Sequence, residues 1–117
     1  IAAHERHRRR VGCGPWLAEE KTSGRLVGWG GLYEDPLDRG WGIEVAYSIA
    51  RDAWGRGYAG ELVAHSLAVA RDVLGLAEIV AFAHPDNAAS CRVLDRAGFV
   101  FERYLTDMKR NFYRKTF

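Results

Sequence analysis

The feature that most constrains this chain is a glycine-rich loop at residues 54–61, which reads Trp-Gly-Arg-Gly-Tyr-Ala-Gly-Glu. The loop lies between a strand-like run ending at Ile49 and a long apolar-periodic segment that begins near Tyr58. Backbone N–H groups of such a loop point towards the space before a helix N-terminus, where the helix dipole favours an anion. We therefore predict a strand–loop–helix unit with an anion site at residues 54–61.

A second polar segment opens another predicted helix, which begins with Asn-Ala-Ala-Ser at 87–90 and ends with Ala-Gly-Phe at 97–99. Asn87, or Asp86 before it, is a suitable N-cap because a short polar side chain can accept from the free N–H groups of a first helical turn. Gly98 is a suitable helix stop. Capping alone would explain Asn87, and a surface hydroxyl would explain Ser90.

Hydrophobic periodicity divides the rest of the chain into strands and helices. The long helix carries a wide apolar stripe, as expected for a helix packed on a sheet, and Gly75 is its predicted stop. The chain is predicted to be a single domain of α/β class that covers residues 1–117. The glycines within the strand at 25–33 predict a bulge or the close approach of another backbone. The predicted strands are 16–20, 25–33, 41–49, 78–83, 99–105 and 111–117, with a turn at 21–24 and a loop at 34–40. The predicted apolar stripe of the long helix is Leu62, Val63, Ser66, Leu67, Val69, Ala70, Val73 and Leu74.

Composition excludes several classes of protein. The net charge of +2 is too small to indicate nucleic-acid binding, and no apolar run is long enough to span a membrane. Cys13 and Cys91 have no metal-ligand spacing, so no metal is predicted, and both are predicted to be free thiols of a cytoplasmic protein. Residues 4–10 are rich in arginine without interleaved aromatic residues, which favours a solvated helix end or tail over a nucleic-acid arm.

Two nucleotide-binding patterns fit the glycine loop only in part. Gly55-x-Gly57-x-x-Gly60 matches the dinucleotide fingerprint, but the acidic residue expected at the end of the next strand is missing, because Glu78 begins that strand. The lysine-containing loop of nucleotide triphosphatases is absent. A turn that merely needs glycine is the plainer alternative, although Arg56 within the loop favours a phosphate.

The glycine loop, the Asn-x-x-Ser helix start and the Ala-Gly-Phe end together resemble the GCN5-related N-acetyltransferases, the GNAT family. The loop is most similar to that of the RimJ/RimL-like branch, which acetylates ribosomal-protein N-termini. The resemblance covers about residues 16–104. It implies a mixed, mostly antiparallel sheet flanked by helices, in which the strand before the loop and the strand at 78–83 run parallel and splay apart to admit pantetheine.

The sequence departs from the family pattern in three places. Trp54 stands where Gln or Arg is frequent, and Gly60 stands where Thr or Ser is common. The strand and helices that usually precede Trp16 are expected to be missing or truncated, with residues 1–14 as a remnant. Neither change in the loop removes a backbone N–H donor, so the predicted anion site is retained.

The resemblance implies acetyl-CoA as the cosubstrate and no metal. The diphosphate would lie against the glycine loop, Asn87 would follow the pantetheine arm, and Ser90 would face the thiol and protonate the departing thiolate. Cys91 is expected to pack in its helix, whereas Arg92 and Arg96 are either solvated charges or ligands of the CoA 3′-phosphate. The implied CoA-binding residues are Arg56, Gly57, Tyr58, Ala59, Gly60, Glu61, Asn87 and Ser90.

Amine acetylation also requires a base, because an alkylammonium with a pKa of about 10.4 is almost entirely protonated at pH 7. Glu44 is the predicted base, since it lies on the strand before the loop, where family members often carry a carboxylate. Tyr33 and Glu34 are the alternatives, and a solvent-facing strand charge is the plainer explanation of Glu44. The aromatic residues Trp29, Tyr33 and Trp41 are candidates for an acceptor pocket or for the core.

The predicted function is therefore transfer of an acetyl group from acetyl-CoA to a primary amine, either a protein N-terminus or a small molecule. The alternative is a CoA-binding regulatory module without catalysis. An RNA-associated protein that uses its arginine-rich start is a third hypothesis. No membrane partner is predicted, nucleic acid is disfavoured, and a homodimer is considered.

Overall fold

A single seven-stranded sheet organises the chain in the computed structural model, which describes residues 2–5, 16–34 and 42–117. The strand order is β1-β2-β3-β4-β5-β7-β6, and every neighbouring pair is antiparallel except β4 and β5, which are parallel. This confirms the predicted mixed, mostly antiparallel α/β fold. The strands are β1 (Ala2–Glu5), β2 (Trp16–Glu19), β3 (Leu26–Glu34), β4 (Ile43–Ile49), β5 (Glu78–Ala83), β6 (Val100–Leu105) and β7 (Arg110–Thr116).

Two helices cover one face of this sheet. Helix α1 (Tyr58–Asp72) packs on β3 and β4, and helix α2 (Ala88–Arg96) packs on β5, β6 and α1. Both follow the predicted positions, because apolar side chains recur on one face of each helix and can be buried together against the sheet. The main core contains Leu32, Val45, Leu62, Val63, Leu67, Ala70, Ile79, Ala81, Leu94, Phe99 and Tyr113.

Strands β4 and β5 diverge where a ligand is expected. Their parallel pairing is limited to Glu44 opposite Val80, near the start of both strands. Beyond this pair the ladder does not continue, so a gap opens towards the C-terminal ends of the two strands. The predicted parallel and splayed arrangement is therefore confirmed.

Close backbone approach explains two of the glycines in β3. A Cβ atom added at Gly28 would lie 2.2 Å from the carbonyl oxygen of Ser48, and one added at Gly30 would lie 2.6 Å from Leu62 Cδ2. No side chain fits at these distances, so β4 and α1 can pack directly on the β3 backbone. The predicted close approach is confirmed at both positions.

The structure corrects the prediction near the N-terminus and at the end of α1. Ala2–Glu5 forms an edge strand paired with β2, so the remnant expected at residues 1–14 contains one short strand, and the start of the 4–10 segment is neither a helix end nor a tail. Backbone pairing to a sheet edge leaves no apolar pattern, which is why the sequence did not reveal it. Val73 is 71% exposed because it follows the last helical residue. The remainder of residues 4–10, and the loop at 35–41, lie outside the described residues.

Candidate functional site

A cleft of about 400 Å³ opens where β4 and β5 diverge, between the N-terminal ends of the two helices. Parallel strands place their carboxyl ends, and the loops that follow them, at one edge of a sheet, which is a common location for a ligand. The lining residues come from the end of β4, the glycine loop, the first turn of α1 and one side of α2 along its length. They are Tyr47, Ser48, Ile49, Ala53, Trp54, Gly55, Gly57, Tyr58, Ala59, Gly60, Asn87, Ala89, Ser90, Arg92, Val93 and Arg96.

The glycine loop presents free backbone donors to this cleft. Gly55 and Gly57 have φ angles of 81° and 80°, a conformation that a side chain disfavours, and Gly57 is the N-cap of α1. The first helical hydrogen bond runs from the Glu61 N–H to the Gly57 carbonyl at 3.1 Å. The N–H groups of residues 58–60 make no hydrogen bond to another described residue, so they remain available to an anion at the positive end of the helix dipole.

Trp54 attaches the loop to the end of β4. Its Nε1 donates to the carbonyl of Ile49 at 2.7 Å, and the guanidinium of Arg51 lies 5.3 Å from the centre of its ring. The ring stays 57% exposed and lines the cleft. Trp54 therefore anchors the loop through a hydrogen bond, and its ring covers the edge of the cleft. These two contacts explain how an aromatic residue is accommodated at this position.

Arg56 is not among the residues that line the cleft, and its side chain binds a carboxylate. Its guanidinium donates to Glu20 Oε2 at 2.9 Å, and the Tyr58 hydroxyl donates to the same oxygen at 2.5 Å. Ser23 Oγ donates to the other oxygen at 2.7 Å. The bonds from Tyr58 and Ser23, with the one from Arg56, lower the pKa of Glu20 to about 2, so this carboxylate is ionised at neutral pH.

Ser90 is fixed at the opposite wall of the cleft by two contacts. The Ser90 N–H donates to Asn87 Oδ1 at 3.0 Å, which makes Asn87 the N-cap of α2 as predicted. The Ser90 hydroxyl lies 2.7 Å from the hydroxyl of Tyr47, on β4. Burial raises the pKa of Tyr47, so its hydroxyl stays protonated at neutral pH. Sequence reasoning missed Tyr47, although strand alternation from the buried Val45 identifies it as facing the helices.

Two cations lie along the cleft wall formed by α2. Arg92 and Arg96 are one helical turn apart, both are exposed, and both line the cleft. Their spacing brings both side chains to one helix face. The positive charges that face the cleft therefore come from α2, whereas the side-chain charge of the glycine loop is paired with Glu20.

The side chain of Glu44, on β4, lies on the face of the sheet opposite the helices. Tyr47 and Val45 are separated from it by odd numbers of residues and contact the helix-side core, so strand alternation directs Glu44 to the opposite face. Its antiparallel partner is Tyr33, whose ring meets Trp29 edge-to-face with centroids 6.4 Å apart. Glu44, Tyr33 and Trp29 thus share one face of the sheet, and Glu44 lies at the position where β4 and β5 are still paired, just before they diverge. Trp41 lies outside the described residues.

The cleft brings together most, but not all, of the residues predicted to bind CoA. Gly57, Tyr58, Ala59, Gly60, Asn87 and Ser90 line it, whereas Arg56 and Glu61 do not. The predicted base, Glu44, does not line it either. Cys91 packs against the main core, as expected, with its thiol near the carbonyl of His84. The residues that sequence reasoning missed are Tyr47 and the end of β4.

The described part of the chain contains neither a group of residues suited to a metal ion nor a helix that could span a membrane. Within residues 16–34 and 42–117, no three His, Cys, Asp or Glu side chains are grouped so that they could hold a metal ion. Among the helices described, neither is sufficiently long and apolar to cross a bilayer.

Comparison with known proteins identifies the family. Residues 1–100 match the family described as "Acetyltransferase (GNAT) domain". YkkB, an uncharacterized protein of Bacillus subtilis strain 168, is 28% identical over 100 residues, which are 86% of this chain and 58% of YkkB. YoaA, an uncharacterized N-acetyltransferase of the same organism, is 30% identical over 90 residues, 77% of this chain and 50% of YoaA. The chain thus spans between half and three-fifths of these relatives.

Solved structures share the fold at low sequence identity. An acetyltransferase from Agrobacterium tumefaciens C58 superposes with a TM-score of 0.77 at 24% identity, covering 91% of this chain and 61% of the other. A spermidine N-acetyltransferase, the SpeG N152L mutant from Vibrio cholerae, gives 0.72 at 20% identity over 86% and 62% of the two chains. The ribosomal-protein-S5-alanine acetyltransferase from Vibrio fischeri gives 0.69 at 20% over 86% and 60%. From the domain match and the common fold, the chain belongs to the GNAT acetyltransferase family.

Proposed function

We propose that this chain transfers an acetyl group from acetyl-CoA to a primary amine. The observation that carries the proposal is the cleft itself, in which the free N–H groups of residues 58–60 and the hydroxyl of Ser90 face one space. An acyl-CoA donor requires two features of its site: a helix N-terminus for the diphosphate and a fixed hydroxyl beside the thioester. Their presence on opposite walls of one cleft favours this function over an unspecialised glycine turn.

The charges along the cleft also support CoA as its ligand. The backbone donors of the glycine loop would hold the diphosphate, including those of Arg56, Gly57 and Tyr58, while the splay between β4 and β5 would admit the pantetheine arm. Arg92 and Arg96 supply cations for a further phosphate. In this arrangement the Arg56 side chain shapes the loop through Glu20 and contributes to phosphate binding mainly through its backbone N–H.

The proposed acetyl transfer uses residues on both faces of the sheet. Glu44, beside Tyr33 on the face away from the helices, would take the proton that the amine loses, directly or through a water molecule. Ser90 would donate a hydrogen bond to the sulfur as the carbon–sulfur bond breaks. The amine nitrogen forms the new bond to the acetyl carbon as the carbon–sulfur bond breaks. Of the two protons that the alkylammonium loses, one passes through Glu44 to solvent and the other balances the proton gained by the thiolate, so no covalent enzyme intermediate is needed.

The proposed acceptor is of the kind that the RimJ/RimL-like branch uses, either a protein N-terminus or a small amine. The Trp-Gly-Arg-Gly-Tyr-Ala-x-Glu loop supports that branch, and the structural relatives include enzymes whose names specify spermidine and the alanine of ribosomal protein S5. The aromatic pair Trp29 and Tyr33 would flank an acceptor that reaches the β4–β5 gap from the face of Glu44.

Thiol release from acetyl-CoA tests the proposal. The full chain would be incubated with acetyl-CoA and a panel containing spermidine, simple alkylamines and peptides with a free N-terminal alanine, with Nα-acetylated peptides as the matched control. We expect release with at least one free amine and none above background with its acetylated control. CoA binding by calorimetry without release for any amine would support the regulatory module instead, and failure to bind CoA would contradict both functions.

A further inference from the structure

We infer that Tyr47 is a positioning residue that orients the Ser90 hydroxyl towards the leaving sulfur; the inference rests on the function proposed above. Tyr47 on β4 and Ser90 on α2 stand 43 residues apart in sequence, yet their hydroxyl oxygens lie 2.7 Å apart, and both residues line the cleft. The contact therefore joins the splayed strand to the helix that carries the predicted thiolate partner.

The Ser90 hydroxyl differs from that of an ordinary helical serine. A serine within a helix commonly donates back to the carbonyl four residues earlier, as Ser66 does to Leu62 at 2.9 Å. Such a bond would consume the only proton of the hydroxyl. Ser90 instead meets Tyr47, and its N–H is held by Asn87, so both the backbone and the side chain of Ser90 are fixed relative to the cleft.

The sense of the hydrogen bond follows from the acidity of the two hydroxyls. A phenol is more acidic than an aliphatic alcohol and is therefore the stronger donor, and a tyrosine hydroxyl is protonated at neutral pH. The 2.7 Å contact allows either hydroxyl to donate; with the more acidic Tyr47 as the donor, Ser90 Oγ accepts and the serine proton stays free for an acceptor inside the cleft. Consecutive hydrogen bonds polarise one another, so the Ser90 O–H becomes a better donor to a developing thiolate.

A double-mutant cycle on acetyl transfer tests this role. Tyr47→Phe removes only the hydroxyl, Ser90→Ala removes its partner, and Tyr104→Phe on the distant strand β6 is the matched control. With the most active amine of the panel, we expect Tyr47→Phe to lower kcat about three- to tenfold, as for loss of one hydrogen bond, while KM for acetyl-CoA is unchanged. The double variant should be no slower than Ser90→Ala alone, because Tyr47 acts only through Ser90.

A leaving-group comparison separates positioning from mere structural support. N-acetylcysteamine thioacetate has a basic alkyl thiolate that needs a hydrogen bond, whereas p-nitrophenyl thioacetate releases a far more stable thiolate. We expect the Tyr47→Phe loss to persist with the alkyl ester and to vanish with the aryl ester. Ser90→Thr, which keeps a hydroxyl, should retain most of the wild-type rate and show that position 90 tolerates substitution.

Each outcome decides a different claim. Independent, multiplicative losses in the cycle, or an equal loss with both thioesters, would overturn the role of Tyr47 while leaving the acetyltransferase proposal standing. Absence of thiol release by the wild-type chain with every amine would overturn the proposed function, and the role of Tyr47 with it. Thermal unfolding of all variants identifies any loss that reflects misfolding, in which case the comparison of Ser90→Thr with Ser90→Ala decides whether the hydroxyl of Ser90 acts at all.

Discussion

The Tyr58 hydroxyl donates to Glu20 Oε2 at 2.5 Å and so connects the first residue of α1 to the turn that follows β2. The same oxygen accepts from Arg56, and the other carboxylate oxygen accepts from Ser23. One carboxylate thus holds the outer side of the glycine loop, whose inner side faces the cleft. The side chains at positions 56 and 58 therefore hold the loop in shape through Glu20, and Tyr58 also lines the cleft.

The lowered pKa of the Glu20 carboxylate should be visible in the stability of the protein at acid pH. Its hydrogen-bond donors, Tyr58 first, lower the pKa of Glu20 from its usual 4.5 to about 2 in the folded protein. A lowered folded-state pKa means that the group stabilises the protein fully above 4.5 and that this contribution is lost as pH falls from 4.5 towards 2. We expect urea-unfolding midpoints of the wild type to fall faster than those of Glu20→Gln across this window, and the two curves to run parallel above pH 5.

Two further variants serve as controls for the titration of Glu20. Tyr58→Phe removes the strongest of its hydrogen bonds, so an NMR titration should show the pKa of Glu20 rising towards its usual value. Asp52→Asn removes an exposed carboxylate that pairs with Arg25 beside the same loop, and it should leave the Glu20 titration unchanged. A Glu20 pKa near 4.5 in the wild type would show that the three donors do not hold this carboxylate in solution.

Glycine substitutions should have opposite effects at two positions. Gly28→Ala forces a Cβ against the Ser48 backbone carbonyl, which cannot move without disturbing β4, so we expect a loss of about 1–3 kcal/mol in the free energy of unfolding. Gly60→Ala meets nothing within 4 Å in the first turn of α1. Because alanine is the better helix former, we expect a gain of about 0.5–1 kcal/mol there. Chemical denaturation measures both, and a tolerated Gly28→Ala would contradict the close β3–β4 approach.

Much of this architecture could be predicted from local sequence signals. The bounds of β5 and the N-cap Asn87 agree with the prediction because periodicity and capping are properties of neighbouring residues. The contacts that define the site join distant segments, such as Glu20 with Tyr58 and Tyr47 with Ser90. Their pairing depends on sheet register and helix docking, which a single sequence does not specify.

Arg56 illustrates this limit for the candidate site. Its position within the glycine loop predicts a phosphate ligand, but the sequence contains no sign that Glu20 reaches its guanidinium from the preceding hairpin. Conversely, the sequence leaves Arg92 and Arg96 as either solvated helix charges or ligands of the 3′-phosphate, and it is the docking of α2 that brings them to the cleft wall. The motif identified the loop and its backbone donors, and tertiary packing decided which side chains accompany them.

The arginines of α2 should therefore matter more for CoA affinity than the arginine of the loop. We expect Arg92→Gln and Arg96→Gln each to weaken CoA binding more than Arg56→Gln does, because Arg56 is already paired with Glu20 whereas the other two face the cleft. Calorimetry with CoA and with dephospho-CoA would locate the interaction. An arginine that binds the 3′-phosphate loses its effect when that phosphate is absent.

The control for the arginine series is Arg71→Gln, at the far end of α1, where Arg71 pairs only with its neighbour Asp72 among the described residues. It has the same change in net charge and should leave CoA affinity unaltered, apart from a small screened effect. A larger loss for Arg56→Gln than for both α2 variants would show that Arg56 leaves Glu20 and contacts the diphosphate when CoA binds.

Glu44 provides the test of the proposed acid–base chemistry. Its place on β4, next to Tyr33 and across the sheet from Tyr47, separates it from the CoA cleft. Glu44→Gln should therefore lower kcat by about 100-fold or more at pH 7, the usual range for loss of a general base, with acetyl-CoA affinity nearly unchanged. The loss should shrink as pH approaches the amine pKa of about 10.4, because free amine then becomes abundant without a base. Ser90→Ala should cost less, since a CoA thiol is already a fair leaving group. An unchanged rate and pH profile for Glu44→Gln would show that Glu44 is not the general base. The base would then be Tyr33, which Tyr33→Phe tests directly, or a water molecule held by backbone carbonyls.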